Sequence, residues 1–277
     1  MTAFRTHRLG EMSWTEARDA AALNPVVLIP SGAVEQHGPH LPLNEDAITA
    51  EWVAERIAER ADGPVLVTPT ATYGHSPSFA GYPGTLNLQF NTLKMVMQDI
   101  MESLIQHGFR RIVVINNNGG NQSPIAQAAW EMRRKHGVLI GTVYPWSIGY
   151  KVMRDLYSDP ARQFGHGAEP EHSAMLAMFP ELVQSQLIED GELQPFEGWQ
   201  PTNYNEAAIP GQSEPGTLYW DFSEISPNGV TGDPRMATKE RGELWVERVL
   251  GVCLGFVNEY DRNTLNTEWA RSEVMAK

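Results

Sequence analysis

The sequence predicts an α/β protein, a three-layer αβα arrangement around a mainly parallel central sheet. Two observations carry this. Short β-branched runs alternate with longer stretches of helical periodicity, the order expected of βα units. Two of those runs, residues 26–31 (VVLIPS) and 112–116 (IVVIN), are apolar almost throughout, so both faces of the sheet must be covered. The other expected strands are 65–69 (VLVTP) and 138–144 (VLIGTVY). Between the first two, residues 47–61 place Ile48, Trp52, Val53 and Ile57 at three- and four-residue steps, which predicts a helix with one stripe on the sheet. Residues 91–107 repeat the pattern. A third helix is expected over 123–136, stopped by Gly137, and a fourth from about Pro170 to just before Pro180. The run Met95 to Met101, and Trp245, have helical spacing and read as core. From 187 to 227 periodicity fades among Pro195, Pro201, Pro210 and Pro215, too long a stretch for a plain connection, and reads as a functional excursion or a subunit-contact segment. Residues 238–260 resume a long helical pattern.

Composition narrows the possible functions. The 277 residues suit one domain, assigned to residues 1–277, with an elaborated C-terminal third and no internal repeat. Lys plus Arg number 21 against 34 Asp plus Glu, a net charge of −13, which argues against nucleic acid or an anionic membrane as the main partner. Cys253 stands alone, so neither a disulfide within the chain nor a thiolate metal site is expected. The first twenty residues lack an apolar signal segment and no window holds 18 apolar residues, so a cytoplasmic location is expected.

Eight histidines stand out in this acidic chain, and four of them fall in two short segments. The first segment, Gly32-Ala-Val-Glu35-Gln-His37-Gly-Pro-His40-Leu-Pro-Leu-Asn-Glu45-Asp46, follows the first strand. Ligands of open α/β sheets bind beyond the carboxyl ends of the strands, which is where this segment lies. Glu35 and His37 sit in a loop stiffened by Gly and Pro. Asp46 falls at the cap or first turn of the next helix, so its carboxylate faces back toward the strand ends. One imidazole and two carboxylates make a familiar donor set for Zn, Mn or Fe. Each residue alone reads as ordinary loop chemistry; together, after a buried strand, they favour a metal site.

Three further segments are weighed the same way. Asn116-Asn-Asn-Gly-Gly-Asn121 ends the third strand and serves equally as a turn or as a source of amide donors, Asn118 among them. Gly165-His166-Gly-Ala-Glu169-Pro170-Glu171-His172-Ser173 opens the fourth helix, with Glu169 its expected N-cap. Acids there complement the helix dipole, but that leaves His166 and His172 unaccounted for and favours a contribution to the site. The loop from Tyr73 to Asn87 carries His75, which can enter a pocket or serve the loop alone.

These motifs, in this order, resemble the creatininase family of metal-dependent amidohydrolases, from Glu11 to about Val249. The family's Pro-x-Gly-x-x-Glu-Gln-His-Gly-Pro-His-Leu-Pro-Leu block with a following Asp matches Pro30 to Leu43 and Asp46. Its Phe-Pro-Gly-Thr loop looks like Tyr82 to Thr85, and its His-Ala-Gly-Glu-x-Glu-Thr-Ser helix start like His166 to Ser173. Its Gly-Val-x-Gly-Asp-Pro block matches Gly229 to Pro234. The resemblance implies a creatininase-like fold and metal ligation by Glu35, His37, Asp46 and Glu169, with Asp46 bridging if two ions bind. His166 would be the proton-transferring residue and Glu171 its partner or the substrate's. Asn118, His75, His172 and Arg162 would line the substrate or support the ligands. It also implies one or two divalent transition ions, zinc ahead of manganese or iron, and a homo-oligomer, a hexamer by analogy. The implied activity is hydrolysis of a small cyclic substrate by attack of activated water on a carbonyl, first a cyclic amide C–N bond. The alternatives are C–C hydrolysis of a cyclic diketone such as 3-dehydro-scyllo-inosose, and a metal-binding protein without activity. Two departures bear on this. Asn118 stands where the family turn carries a histidine ligand, which weakens or removes one metal position. Arg162 stands where creatininase proper has Trp, which argues against creatinine as substrate. An anionic substrate would need a local cation, for which Arg162 is the expected residue.

Overall fold

The computed structural model describes residues 4–263; residues 1–3 and 264–277, part of the domain expected over the whole chain, lie outside the described residues. Its centre is strand β1 (Val26–Ser31), buried at all six positions. β2 (Val65–Val67) lies on one side of it, and β3 (Arg111–Asn116) and then β4 (Ile140–Val143) on the other, all parallel, in the order β2-β1-β3-β4. Val26 pairs with both Val65 and Arg111. Alternation along these strands divides the interior in two. Val26, Leu28, Val113 and Ile115 face α2 (Glu45–Arg60), α5 (Pro145–Val152), α7 (Glu171–Met178) and α8 (Lys239–Asn263). Val27, Ile29, Ile112 and Val114 face α1 (Trp14–Ala21), α3 (Phe90–Gln106) and α4 (Gln122–His136). Helices therefore cover both faces of the sheet, the three-layer α/β arrangement expected. The short α6 (Pro160–Gln163) lies between α5 and α7 in the chain.

Several boundaries differ from the sequence reading, each for a local reason. β2 stops at Val67: Thr68 still donates to the Leu28 carbonyl, but Pro69 has no N–H with which to continue the ladder. β4 is four residues rather than seven. α2 starts two residues early, with Asn44 as N-cap, so Asp46 is inside the first turn. α4 ends as read, on Gly137 in the left-handed conformation. α7 begins at Glu171 with Pro170 at the N-cap, so Glu169 is not the cap residue. In α3, Met97 and Met101 are fully buried one helical turn apart, whereas Met95 is 58% exposed, so only part of that run is core. Trp245 is buried as expected.

The 187–227 stretch carries a small antiparallel sheet, β5 (Pro201–Asn203), β6 (Glu206–Ala207) and β7 (Gly216–Thr217). It has its own apolar centre of Phe79, Ala207, Trp220, Phe222 and Ile225. This anchors the excursion above the carboxyl ends of β1 and β3, where the functional residues gather. No described helix is long and apolar enough to cross a membrane.

Candidate metal centre

Three loops converge beyond the carboxyl edge of the sheet. The first brings Glu35 and His37, with Asp46 from the opening turn of α2; the second brings Asn118 from beyond β3; the third brings His166 and Glu171 from the entry to α7. All six are buried and all line a cavity of about 780 Å³. One ligand atom each of Glu35, His37 and His166 lies within 4.8 Å of the other two. His37 Nε2 is 3.9 Å from Glu35 Oε1 and 3.5 Å from Asp46 Oδ1. Donors each about 2.1 Å from one tetrahedral ion stand roughly 3.4 Å apart, so this spacing suits a shared cation.

The imidazole orientations agree with that reading. His37 Nδ1 lies 3.2 Å from the Glu35 carbonyl oxygen and 3.8 Å from Glu45 Oε2, so Nδ1 carries a proton and Nε2 is the nitrogen that faces the carboxylates and would meet a cation. Glu45 is fully buried and neither of its side-chain oxygens has a hydrogen bond. His166 donates from Nε2 to the Gln36 carbonyl at 2.5 Å, which leaves Nδ1 as its bare nitrogen. Its ring is stacked between Phe79, centroids 4.1 Å apart, and His37, 4.4 Å apart.

Charge is crowded here. Burial, with the adjacent Asp46 carboxylate, pushes Glu35 up to about 8. Burial likewise raises Glu171 to about 7, and Glu45 well above the carboxylate range. For His37 burial acts downward, but Glu45, Asp46 and Glu35 together carry it well above the ordinary histidine value. Burial and the neighbouring His37 hold His166 well below that value, hence neutral. Three cavity carboxylates and a fourth behind His37, with no Lys or Arg side chain bonded to them among the described residues, form a pocket that a divalent cation would compensate.

Neighbouring side chains fix the acids in place. Trp146 Nε1 donates to Asp46 Oδ1 at 2.9 Å, and the Tyr150 hydroxyl to Glu171 Oε1 at 2.9 Å. The Gly167 amide donates to Glu171 Oε2 at 2.8 Å. Asn118 Nδ2 donates to Glu35 Oε2 at 2.8 Å and to Asp46 Oδ2 at 3.0 Å. Its Oδ1 accepts the Asn121 amide N–H at 3.1 Å, and because a backbone N–H can only donate, this sets which end of the Asn118 amide faces the acids. Gly120 packs against the loop before α3, where a Cβ would stand 1.8 Å from the His75 carbonyl oxygen.

Three other residues anticipated for the site, Glu169, His172 and Arg162, lie off the cavity. Glu169 is buried, but its carboxylate takes hydrogen bonds from the Tyr157 hydroxyl and from Ser173 Oγ and does not line the cavity. Glu171, two residues later, faces the cluster instead. His172 packs edge-on against His40, donates from Nδ1 to the Pro234 carbonyl at 2.9 Å, and is also off the cavity. Arg162 is exposed, points to Asp190 at 3.5 Å and does not line the cavity. His75 does line the cavity, with Nδ1 2.8 Å from the Leu88 carbonyl oxygen. Trp146, Tyr150, Tyr144 and Tyr204 went unread in the sequence. The four-residue step from Trp146 to Tyr150 was the available signal for two of them; nothing local marks Tyr204.

The fold and these donors define a three-layer α/β protein with a nitrogen and oxygen site suited to a divalent metal. The family model described as creatinine amidohydrolase matches residues 10–256, and the chain belongs to that creatininase family of hydrolases. It is 31% identical to creatinine amidohydrolase of Pseudomonas putida, over 89% of this chain and 92% of that one. It is 29% identical to the mycofactocin precursor peptide peptidase of Mycolicibacterium smegmatis, over 91% and 92%. A 3-dehydro-scyllo-inosose hydrolase of Thermotoga maritima is 25% identical, over 86% and 78%. Two solved creatininase structures, one the manganese form and one a mutant in its Zn–Zn form, each align with TM-score 0.74 and 28% identity, covering 92% of this chain and 98% of theirs.

Proposed function

We propose that this protein is a metal-dependent hydrolase that opens a small cyclic amide at its carbonyl C–N bond. The observation that carries the reading is the convergence of Glu35, His37 and Asp46 around His37 Nε2, buried at the floor of an open cavity. These three would hold the ion, zinc or manganese first. A divalent ion supplies a water of lowered pKa and polarises the carbonyl. His166, neutral and with Nδ1 bare, takes a proton at that atom and returns it to the leaving nitrogen. Its place between Phe79 and His37 keeps the ring from turning away. Glu171, held by Tyr150 and Gly167, positions the substrate or shares the proton.

The same reading assigns a single ion. Asn118, which stands where the family turn carries a histidine ligand, turns its NH₂ to Glu35 and Asp46, and an N–H donor cannot ligate. Amide cleavage leads because two of the relatives, at 31% and 29% identity, are named for an amidohydrolase and a peptide peptidase. A homo-oligomer, a hexamer by family analogy, and a cytoplasmic location complete the proposal; sedimentation velocity tests the former.

The experiment is metal analysis of the purified protein beside turnover of cyclic ureas, lactams and oxidised inositols. Wild type should take up one equivalent and open a lactam or cyclic urea, and His37→Ala and Asp46→Ala should lose the metal. Activity confined to an oxidised inositol would replace the amide with C–C cleavage. Failure to bind any transition metal would remove the hydrolase reading itself.

A further inference from the structure

The cavity extends well beyond the metal centre, and its outer part carries a cation. Arg154 is the only Lys or Arg that lines it among the described residues. Its side chain is exposed, and no hydrogen-bond or ion-pair partner is found for its guanidinium among them. It comes from the segment that also braces the catalytic acids. α5 and the 3₁₀ turn after it, Arg154–Leu156, present Trp146, Tyr150 and Arg154 at four-residue steps along one side of the cavity. Trp146 holds Asp46 and Tyr150 holds Glu171. The third position of the series, Arg154, holds nothing. Arg154 lies eight residues beyond Trp146, about 12 Å if the helical rise is continued through the turn. Tyr204 and Tyr219 of the excursion also line the cavity, and their hydroxyls suit a polar group on the substrate.

Resting on the hydrolase reading, we infer that Arg154 is a substrate-binding residue and that the substrate carries a carboxylate, bound in the outer cavity while its scissile carbonyl lies at the metal centre. A guanidinium presents a planar fork of donors that matches a carboxylate in two parallel hydrogen bonds. The surroundings would otherwise repel such a substrate. The chain carries a net charge of −13, and Glu35, Asp46 and Glu171 on the cavity floor outnumber the charge of one divalent ion. An anionic substrate approaching that floor is repelled unless a cation meets it first. Arg162, the residue expected for this task, is turned toward Asp190.

The test uses the metal-loaded, full-length protein and two matched series of linear hydroxamates, which bind the ion at one end. One series ends in a carboxylate and the other in a methyl group, with two to six methylenes between the ends, and isothermal titration gives each Kd at fixed ionic strength. At one chain length the carboxylate probe should bind at least ten-fold tighter than its methyl counterpart. Arg154→Met should erase that ratio, and Arg154→Lys should restore part of it. Equal binding of both series at every length, or a preference that survives Arg154→Met, overturns the inference while leaving the hydrolase reading in place. No hydroxamate binding together with no metal uptake overturns both.

Discussion

In the metal-free chain, Glu35 should make the fold less stable as the pH rises from 7 to 9, and Glu35→Gln should remove that loss. The side chain is 3% exposed and its carboxyl is pushed up to about 8 from an ordinary 4.5. The folded state therefore binds the proton more tightly than the unfolded state. The stabilising contribution of that proton is complete below the unfolded value and disappears as the pH climbs through the folded one. Integrated between pH 7 and 9, the difference amounts to about one pH unit, or about 1.4 kcal/mol. For a chain of this size that is roughly 3 °C in melting temperature. Glu171, raised to about 7, acts in the same sense and finishes its change earlier. His40 and His166, both lowered by burial, act in the opposite sense, but mostly below about pH 6.5, where the unfolded histidines take up protons. The assay is thermal unfolding in chelator at pH 7, 8 and 9, wild type beside Glu35→Gln. The gap between the two curves should move by about 1.4 kcal/mol in favour of the variant. Parallel curves would show that Glu35 is already ionised in the folded chain and would refute the reasoning.

Three further outcomes are expected from the same geometry. Trp146→Phe deletes the donor to Asp46 Oδ1 in a buried site and should cost about 1–3 kcal/mol in urea unfolding of the metal-free protein, with metal affinity reduced about ten-fold or more. Asn118→His replaces the N–H donor with a ligand nitrogen and should raise bound zinc from one to two equivalents per chain by elemental analysis; an unchanged count would mean that this position does not face the ions. Gly120→Ala sets a methyl 1.8 Å from the His75 carbonyl oxygen, so the turn or the loop must shift, and melting should fall by several degrees with weaker metal binding.

Local chemistry explains what could be read from the sequence. A buried parallel strand must be apolar throughout, so VVLIPS and IVVIN announce themselves, and the chemistry of such sheets gathers just beyond their carboxyl ends. Glu35, His37 and Asp46 were legible for that reason, being within sixteen residues of the start of β1's carboxyl-edge loop. Helix α1 went unread because its apolar pattern is weak; the Ser13 and Glu16 capping box was the available signal.

What only the tertiary structure decided is direction. Glu169 and Glu171 are two residues apart with the same chemistry, yet one turns to Tyr157 and Ser173 and the other to the cavity that holds Glu35, His37 and Asp46, because α7 starts between them and sets the direction of the side chains from Glu171 onward. The composition of the Asn-rich turn is compatible with many roles; the Asn121 amide, by claiming Oδ1, makes Asn118 a donor to the acids. Trp146, Tyr150 and Arg154 form an unremarkable helical spacing until α5 is laid along the cavity. The sequence by itself determined the layers and the main acids, since burial and strand ends are properties of short segments. Which side chains share one pocket depends on contacts between segments a hundred residues apart, and no local pattern encodes those.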